Sequence, residues 1–415
     1  MVGTRVRRTG RVGGALVGVV VCAAMAVPAS AGAPLDVARR DVAPAAARKA
    51  PASSLAVAFQ GNALHDGHSV RGVAAPPLRK EWSRTFPGSV SYPIVAEGRV
   101  FVTAADPEVR YGTTLYALDQ RTGRNAWRPF KLGGAYWWSA LTYGDGRLFA
   151  LNHSGDLRAF SARTGSLLWT RRLPHHTFTS APTFAGGRVF VMGEGDQTSL
   201  FAVDGRTGRV LWERNQVGSG FSSPAVTSTT AYVAHLCPHV HAFAVADGKR
   251  LWKRTRGCEA GGGRTPAVAA GGLWVRDTVR PHTVFDLKTG RTQRTFGSDE
   301  YTLAPAFSGT SVFLVTRGVL SARPTARPNS KRWTFADRTI GLPPLAVDDI
   351  VYALSTSGRL WAVRASTGRA VWSTDTGVET SEAYEVDVSA PPRGMGAGQG
   401  HLLVPAGSVL LSYGR

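Results

Sequence analysis

The sequence has few cysteines, few recognisable catalytic motifs and only one extended apolar run. Three cysteines occur in 415 residues, Cys22, Cys237 and Cys258, and no two of them are adjacent. The chain has no C-x-x-C-H haem attachment motif, no P-loop and no G-x-S-x-G nucleophile motif. These absences exclude the common forms of c-type haem binding, P-loop nucleotide hydrolysis and α/β-hydrolase catalysis. Helical 3.6-residue periodicity is also missing, which disfavours a helical repeat.

Lysine is scarce as well, although the chain is strongly basic. Of the 49 basic residues 42 are Arg and 7 are Lys, and with 28 acidic residues the net charge is +21. An excess of Arg over Lys, with abundant Ala and Gly, is typical of a GC-rich genome, so codon usage explains part of the charge. The rest would attract the chain to anionic surfaces. We expect a protein partner or an anionic cell-envelope partner, and no nucleic acid.

The first 79 residues differ in composition from the rest of the chain. Residues 1–31 have a basic start, an uncharged apolar run over 12–27 and small residues up to Ala31, a pattern that predicts a cleaved secretory signal peptide. The run is short for a membrane span, which needs about 20 residues, although a signal retained as an anchor stays an alternative. Residues 32–79 are rich in Ala, Pro and Arg and predict a flexible linker. The mature protein would be secreted, extracellular or associated with the cell wall, with no transmembrane segment.

From residue 80 to residue 415 one hairpin pattern repeats. Its clearest copy is LFAVDGRTGRVLW at residues 200–212, where an apolar strand, a turn with Gly208 and a second strand end on Trp212. The position of this tryptophan recurs every 39 to 45 residues, which is the period of a propeller blade. It is occupied by Trp82, Trp127, Trp169, Trp212, Trp252, Arg294, Trp333 and Trp372.

Two further series have the same period and complete each unit. A small residue before proline, as at Ser223-Pro224, marks a first strand, and a β-rich run such as RVFV at residues 188–191 marks a second. Four short strands in about 40 residues predict a β-propeller blade. The eighth unit lacks a fourth strand, whereas the strand around Trp82 has no blade of its own. We therefore predict an all-β, eight-bladed β-propeller with four-stranded antiparallel blades, in which the N-terminal strand completes the C-terminal blade and removes the exposed sheet edge.

The complete motif A-x-D-x-x-T-G-x-x-x-W occurs twice, around Asp119 and Asp204. It resembles the tryptophan-docking repeat of the PQQ-like propellers, the family of eight-bladed quinoprotein dehydrogenases and BamB-like proteins. Glycine can take a positive φ in the turn, and Asp and Thr can hydrogen-bond its backbone. We predict structural roles for Trp82, Asp119, Gly123, Trp127, Gly165, Trp169, Asp204, Gly208, Trp212, Gly248, Trp252, Gly290, Trp333, Gly368 and Trp372.

The resemblance raises the question of quinone chemistry. Quinoprotein dehydrogenases hold pyrroloquinoline quinone (PQQ) in the central channel with a Ca²⁺ ion and a catalytic Asp, and many carry adjacent half-cystines. This chain has no Cys-Cys pair, and none of its positions matches those ligands one by one. We expect no catalytic residue, no cofactor and no bound metal. A PQQ- and calcium-dependent dehydrogenase is the alternative.

Two cysteines remain after removal of the predicted signal. In a four-stranded antiparallel blade, Cys237 in the loop between the second and third strands and Cys258 in the connection to the next blade lie at the same end. Secreted proteins mature in an oxidising compartment, so we predict a Cys237–Cys258 disulfide. The alternative is a metal site, because His239 and His241 lie on one side of an extended strand with Cys237.

The connections between blades carry the candidate binding residues. Consecutive aromatic residues occupy the connection between the first two blades, and exposure of all of them would be unusual. The connection between the last two blades is acidic. We predict a monomeric, non-catalytic binding or scaffold propeller, with a binder of cell-wall polymer or carbohydrate as a further alternative. The predicted binding face consists of Trp137, Trp138, Glu379, Glu382, Tyr384 and Glu385.

Overall fold

The described part of the chain is built from β-strands alone. The computed structural model describes residues 55–69, 73, 75–108, 110–174, 177–195, 198–215, 222–235, 239–255, 264–276, 282–297, 303–385 and 387–415. The chain divides into two units, Met1–Lys49 and Ala50–Arg415, and the β-structure belongs to the second. The predicted signal peptide and all three cysteines lie outside the described residues.

The strands form eight sheets in chain order, which confirms the predicted eight-bladed propeller. Two strands precede the blades, β1 (His68–Ser69) and β2 (Arg79–Thr85). Blades one to four contain β3 (Ile94–Ala96), β4 (Arg99–Ala105), β5 (Thr113–Asp119) and β6 (Phe130–Gly133); β7 (Ser139–Gly144), β8 (Arg147–Asn152), β9 (Asp156–Ser161) and β10 (Leu167–Arg172); β11 (Thr183–Ala185), β12 (Arg188–Gly193), β13 (Ser199–Asp204) and β14 (Val210–Asn215); and β15 (Ala225–Val226), β16 (Thr230–Ala234), β17 (His239–Ala244) and β18 (Arg250–Thr255). Blades five to eight contain β19 (Ala267–Ala269), β20 (Gly272–Val275), β21 (His282–Asp286) and β22 (Thr292–Phe296); β23 (Ala306–Ser308), β24 (Ser311–Thr316), β25 (Val319–Pro324) and β26 (Trp333–Thr334); β27 (Leu345–Val347), β28 (Ile350–Leu354), β29 (Arg359–Arg364) and β30 (Ala370–Asp375); and β31 (Gly396–Gly398), β32 (His401–Ala406) and β33 (Val409–Gly414).

The ring closes through its two termini, as the sequence predicts. Blade eight has only three strands of its own, and β2 pairs antiparallel with β33 as its outermost strand. The register runs from Arg79 opposite Gly414 to Thr85 opposite Val409. Closure pairs the strand edge that blade eight would otherwise expose.

Both faces of each blade are buried, which explains the nearly continuous apolar strands. In β24, Val312 and Leu314 pack in one cluster with Trp274 of blade five. The alternate residues Phe313 and Val315 pack in another cluster that extends into blade seven. Since successive side chains of a strand point to opposite faces, a blade between two neighbours requires apolar residues at every position.

At six of the eight junctions between blades, a tryptophan of one blade lies on a glycine turn of the next. At the junction of blades seven and eight, Trp372 instead packs edge-on against Tyr413, with ring centroids 6.0 Å apart. Trp169, at the outer edge of blade two, covers Gly208 in the last turn of blade three, and its indole N–H donates to Gly205 O at 3.2 Å. Asp204 shapes that turn by accepting from the N–H and the hydroxyl of Thr207, both at 2.7 Å. The same contact joins Trp82 to Gly123, Trp127 to Gly165, Trp212 to Gly248, Trp252 to Gly290 and Trp333 to Gly368.

Several arginines belong to these contacts between blades. The arginine two residues after the tryptophan donates to the carbonyl of the same glycine. At the one position without tryptophan, Arg294 donates to Thr325 O of blade six at 2.6 Å, in place of an indole N–H. Part of the arginine excess therefore holds the ring together. The glycine contacts are Arg84 to Gly123, Arg171 to Gly208, Arg214 to Gly248 and Arg254 to Gly290.

We predict that Gly208→Ala destabilises the propeller more than Gly187→Ala. Both glycines have a positive φ, +72° and +76°, so both variants bear the left-handed backbone cost of about 1–2 kcal/mol. A Cβ on Gly208 would lie 2.8 Å from the ring of Trp169, whereas a Cβ on Gly187 would meet nothing within 4 Å. Urea denaturation should show a further loss of about 1–3 kcal/mol for Gly208→Ala, the usual cost of overpacking. Equal losses would contradict the docking role of Trp169.

Residues 55–69, called the channel segment below, lie inside the ring. The structure therefore differs from the flexible linker predicted over residues 32–79. The segment begins on blade eight, where Ala56 N donates to Ala397 O at 3.0 Å, and it ends as β1, which pairs parallel with β27 of blade seven. Val73 returns to blade eight through a bridge to Gly400. The chain thus passes around the channel before it forms β2 on the outside of the ring.

The channel segment pairs the innermost backbone groups of the blades. Six of the eight inner strands donate a backbone N–H from their last or next-to-last residue to carbonyls of the segment. An inner strand has an open edge toward the channel, and an unpaired buried N–H costs about 1–3 kcal/mol. The segment removes that cost for most of the ring. The bonds are Val95 to Ala56, Tyr143 to Val57, Val226 to Ala63, Val268 to Leu64, Phe307 to Asp66 and Ala346 to Gly67, at 2.7 to 3.0 Å.

Candidate functional site

The two ends of the ring have different roles. The end called the turn end carries the inner hairpin turns and the glycine turns that receive tryptophan. The opposite end, called the connection end, carries the loops between second and third strands and the connections between blades, because the four strands of a blade alternate in direction. The channel segment bonds the inner strands close to the turn end. Binding residues of β-scaffolds concentrate in such connecting loops.

At the connection end, hydroxyl side chains link successive blades around the channel. The N–H of Ala181 in blade three donates to the hydroxyl of Ser223 in blade four at 2.9 Å, and the N–H of Ser223 donates to the hydroxyl of Thr265 in blade five at 3.1 Å. The N–H of Thr265 in turn donates to Glu385 Oε2 at 2.8 Å. These small residues precede the prolines of the repeat, so their size and their hydroxyl groups serve contacts between blades.

Glu385 crosses from the connection between blades seven and eight to blade five. Its other carboxylate oxygen forms an ion pair with the guanidinium of Arg276, and the two side chains are 6% and 1% exposed. Burial by itself would raise the pKa of Glu385, but the positive charges of Arg276 and Arg264 hold that pKa below its usual value. The carboxylate is therefore ionised. It joins the connection between blades seven and eight to blade five and is not an exposed binding group.

Side chains of the channel segment pack against the inner parts of the blades. Phe59 of the segment packs on Tyr92, with ring centroids 5.3 Å apart. His65 is buried, with Nδ1 2.7 Å from Phe59 O and Nε2 2.9 Å from Pro224 O, and burial lowers the pKa of its ring. Between Phe59 and Glu385 the described residues leave a void of about 10 Å³, the space of one water molecule.

An exposed aromatic patch lies at the connection end of blades one and two. It consists of Tyr111, Tyr136 and Trp137, and the ring of Tyr111 lies 5.7 Å from Tyr136 and 5.4 Å from Trp137. Tyr111 and Tyr136 are 44% and 42% exposed. Tyr136 also packs edge-on against His153, with ring centroids 4.6 Å apart, and this contact holds the Tyr136 ring in place. Trp138 points the other way and is fully buried in the core.

The six residues of the predicted binding face lie in different surroundings, and Trp137 belongs to the aromatic patch. Glu379, Glu382 and Tyr384 are exposed on the connection between blades seven and eight. Trp138 and Glu385 are buried and present no surface, because one packs in the core and the other is paired with arginine. Sequence reasoning missed Tyr111, which lies in a loop of blade one; a tyrosine between Arg110 and a glycine at the expected loop position was the available signal.

A model of the family described as outer membrane protein assembly factor BamB matches residues 75–135, 112–257 and 153–374. These matches cover most of the chain and coincide with the blades. The chain belongs to this BamB-like, PQQ-repeat propeller family.

The relatives include assembly factors and dehydrogenases. An outer membrane protein assembly factor BamB from Moranella endobia is 23% identical over 61% of this chain and 62% of its own, and one from Burkholderia pseudomallei is 27% identical over 49% and 55%. The chain therefore matches less than two thirds of these relatives' length. Among solved structures, BamB from Moraxella catarrhalis has a TM-score of 0.60 at 18% identity, covering 82% of this chain and 98% of that one. Quinohemoprotein alcohol dehydrogenase from Comamonas testosteroni has a TM-score of 0.67 at 14% identity, covering 88% and 81%. These likenesses show a shared fold.

The space that the described residues leave beside the channel segment is too small for a quinone. A small-molecule site needs about 300 Å³ or more, whereas the void lined by Phe59 and Glu385 has about 10 Å³. No reaction step through PQQ is therefore derived for this chain.

The predicted disulfide and its alternative, a metal site, concern blade four. The rings of His235 and His239 lie 5.4 and 6.2 Å from that of His241, and burial, with the charge of Lys253, lowers the pKa of His241 to about 3. Within the described ranges, no three His, Cys, Asp or Glu side chains form a metal-binding group. Both members of the predicted Cys237–Cys258 disulfide fall outside those ranges, so the disulfide stays a prediction. Of the described residues, none forms a helix able to cross a membrane.

Proposed function

We propose that this BamB-like propeller is a non-catalytic scaffold that docks a protein partner of the cell envelope on its connection end. The observation that carries the proposal is the channel segment, whose residues lie inside the ring and pair its inner strands, so the outer surface is the proposed place for binding. Relatives named as assembly factors of outer membrane proteins support a role in protein assembly. The predicted signal peptide supports export, and we place the mature protein outside the cytoplasm as a monomer.

The aromatic patch is the proposed docking surface. Tyrosine and tryptophan bury large areas at little entropic cost and dominate the binding energy of protein interfaces. Here two tyrosines are exposed beside Trp137 and are held by packing against each other and against His153. The exposed Glu379 and Glu382 lie at the same end of the ring and would select a partner with a basic complementary surface.

A carbohydrate ligand is the second candidate, and a cleft beside the patch favours it. The cleft has a volume of about 120 Å³ and is lined by Tyr111, Thr113, Asp106 and Lys131. An aromatic ring next to hydroxyl and charged groups can stack on a sugar and hydrogen-bond its hydroxyls. The cleft is small, so it would hold one sugar unit of a cell-wall polymer.

We predict that Tyr111→Ala with Tyr136→Ala weakens partner binding at least about tenfold, since central aromatic residues contribute about 2 kcal/mol or more. Photo-crosslinking from position 136 in cells, followed by binding measurements with the captured protein, provides the measurement. The control is Leu167→Ala with Leu251→Ala, which removes two equally exposed apolar side chains, 46% and 50% exposed, on outer strands away from the patch.

Three outcomes separate the candidate functions. Loss of the protein partner in the patch variant and its retention in the control would support docking. Binding of purified cell-wall polysaccharide, lost in the same variant, would favour the carbohydrate ligand instead. A dye-linked alcohol oxidation that requires added PQQ and Ca²⁺ would overturn the non-catalytic assignment.

A further inference from the structure

Blade six departs from the other blades in its fourth strand. That strand, β26, has two residues and pairs only with Ser321 and Ala322 of β25. The outermost strands of the other blades have four to seven residues. The short strand leaves part of the outer edge of β25 without a neighbouring strand, next to Val319, Ser321 and Arg323, which share one face because alternate residues of a strand do so.

A cleft lined by basic side chains lies beside this edge of β25. Its volume is about 330 Å³, and its lining includes Arg317, Arg323, Lys331 and Arg338. No carboxylate lines the cleft among the residues that the structure describes. The adjacent Asp337 is already engaged, because it accepts from the indole N–H of Trp361 and from the N–H of Thr339, both at 2.7 Å. The single negative charge of Asp337 offsets at most one of these four cations, so the cleft keeps a net positive charge.

Two buried donors in the cleft have no protein partner. Arg323 is 7% exposed, and while one terminal nitrogen donates to Pro328 O at 3.0 Å, its Nε lacks a hydrogen-bond partner. The hydroxyl of Thr316 is also shielded from solvent and without a partner. An unpaired buried donor is costly, and the cost is higher for a charged group. Both donors would be satisfied by an anion in the cleft.

We propose that the blade-six cleft binds a phosphate group. Arginine has a planar fork of donors that matches phosphate oxygens, and a phosphate offers enough acceptors for several cations and a hydroxyl at once. Phosphodiesters occur in lipid head groups and in anionic envelope polymers, and either source would present the same group. The site is separate from the aromatic patch, so it does not depend on the proposed docking function.

The test uses calorimetry with inorganic phosphate and glycerol 3-phosphate at constant ionic strength in chloride. Wild-type protein should bind both saturably. Lys331→Ala with Arg338→Ala should bind at least about tenfold more weakly, because each charged hydrogen bond contributes substantially to affinity. Both side chains are exposed, so the variant should fold. The matched control is Arg121→Ala with Arg206→Ala, which removes the same charge from two exposed turns.

The outcomes either support or overturn the site. Loss of binding in the cleft variant alone supports it, and binding to vesicles of phosphatidylglycerol with phosphatidylcholine, but not to phosphatidylcholine alone, would identify a lipid as the source. Binding of the soluble phosphates without vesicle binding would identify a soluble or polymeric source. Equal weakening in the control, or no saturable binding above the chloride background, would overturn the proposal, since the charge would then act only through the general field.

Discussion

A chain shortened to begin at residue 75 is expected to lose about 5 kcal/mol or more of unfolding free energy, the largest effect predicted here. The deletion removes seven backbone hydrogen bonds between the channel segment and the ring, each contributing about 0.5–1.5 kcal/mol. It also removes the buried Phe59, whose truncation to alanine alone should cost about 3–5 kcal/mol. Chemical denaturation followed by tryptophan fluorescence measures the loss.

A chain that begins at residue 50 is the control for this deletion, because it keeps the whole segment. It should match the full mature chain in stability. A synthetic peptide of residues 50–74 should restore part of the stability of the short chain in a concentration-dependent way, as expected for a ligand that binds only the folded state. Unchanged stability of the short chain would show that the segment is not required to hold the ring.

Replacing Glu385 is expected to have the next largest effect. Glu385→Gln leaves the buried guanidinium of Arg276 without its counter-charge, and breaking a buried ion pair from one side typically costs about 3–5 kcal/mol. The double variant Glu385→Leu with Arg276→Met should be less destabilised than Glu385→Leu alone, since no buried charge remains uncompensated. A double-mutant cycle in urea measures the coupling, and additive losses would contradict a specific pair.

The same carboxylate predicts an acid-sensitive ring. The pKa of Glu385 is lower in the folded protein than the usual value of 4.5, so the folded state binds fewer protons than the unfolded state in the window between the two values. Its contribution is complete above pH 4.5 and is lost as the pH falls through the lowered pKa. The stability of Glu385→Gln should depend less on pH in this window than that of the wild type. If the variant and the wild type lost the same stability as the pH fell, the acid sensitivity would belong to other groups.

The residues at the connection end show which parts of the candidate site can be predicted from sequence patterns. Consecutive Tyr136, Trp137 and Trp138 indicated an aromatic surface, and the alternation of strand side chains required at least one of them to face outward. Which ones do so depends on the register with which the connection enters blade two, and Trp138 is buried there. The acidic connection likewise marked Glu385, but the arginine that pairs with it is 109 positions away in blade five. No local sequence pattern indicates that contact.

The sequence by itself determined the eight blades, their four strands and the closure of the ring, because strands, turns and tryptophan wedges are local patterns that repeat with one period. Only the tertiary structure decided the role of residues 55–69. That segment has no repeat and few large apolar side chains, and six of its hydrogen bonds to the inner strands join backbone groups, which are the same in every residue. Its partners are the open inner edges of strands, and those edges exist only after the ring has formed. A segment with the composition of a linker therefore lies inside the ring and pairs its inner strands.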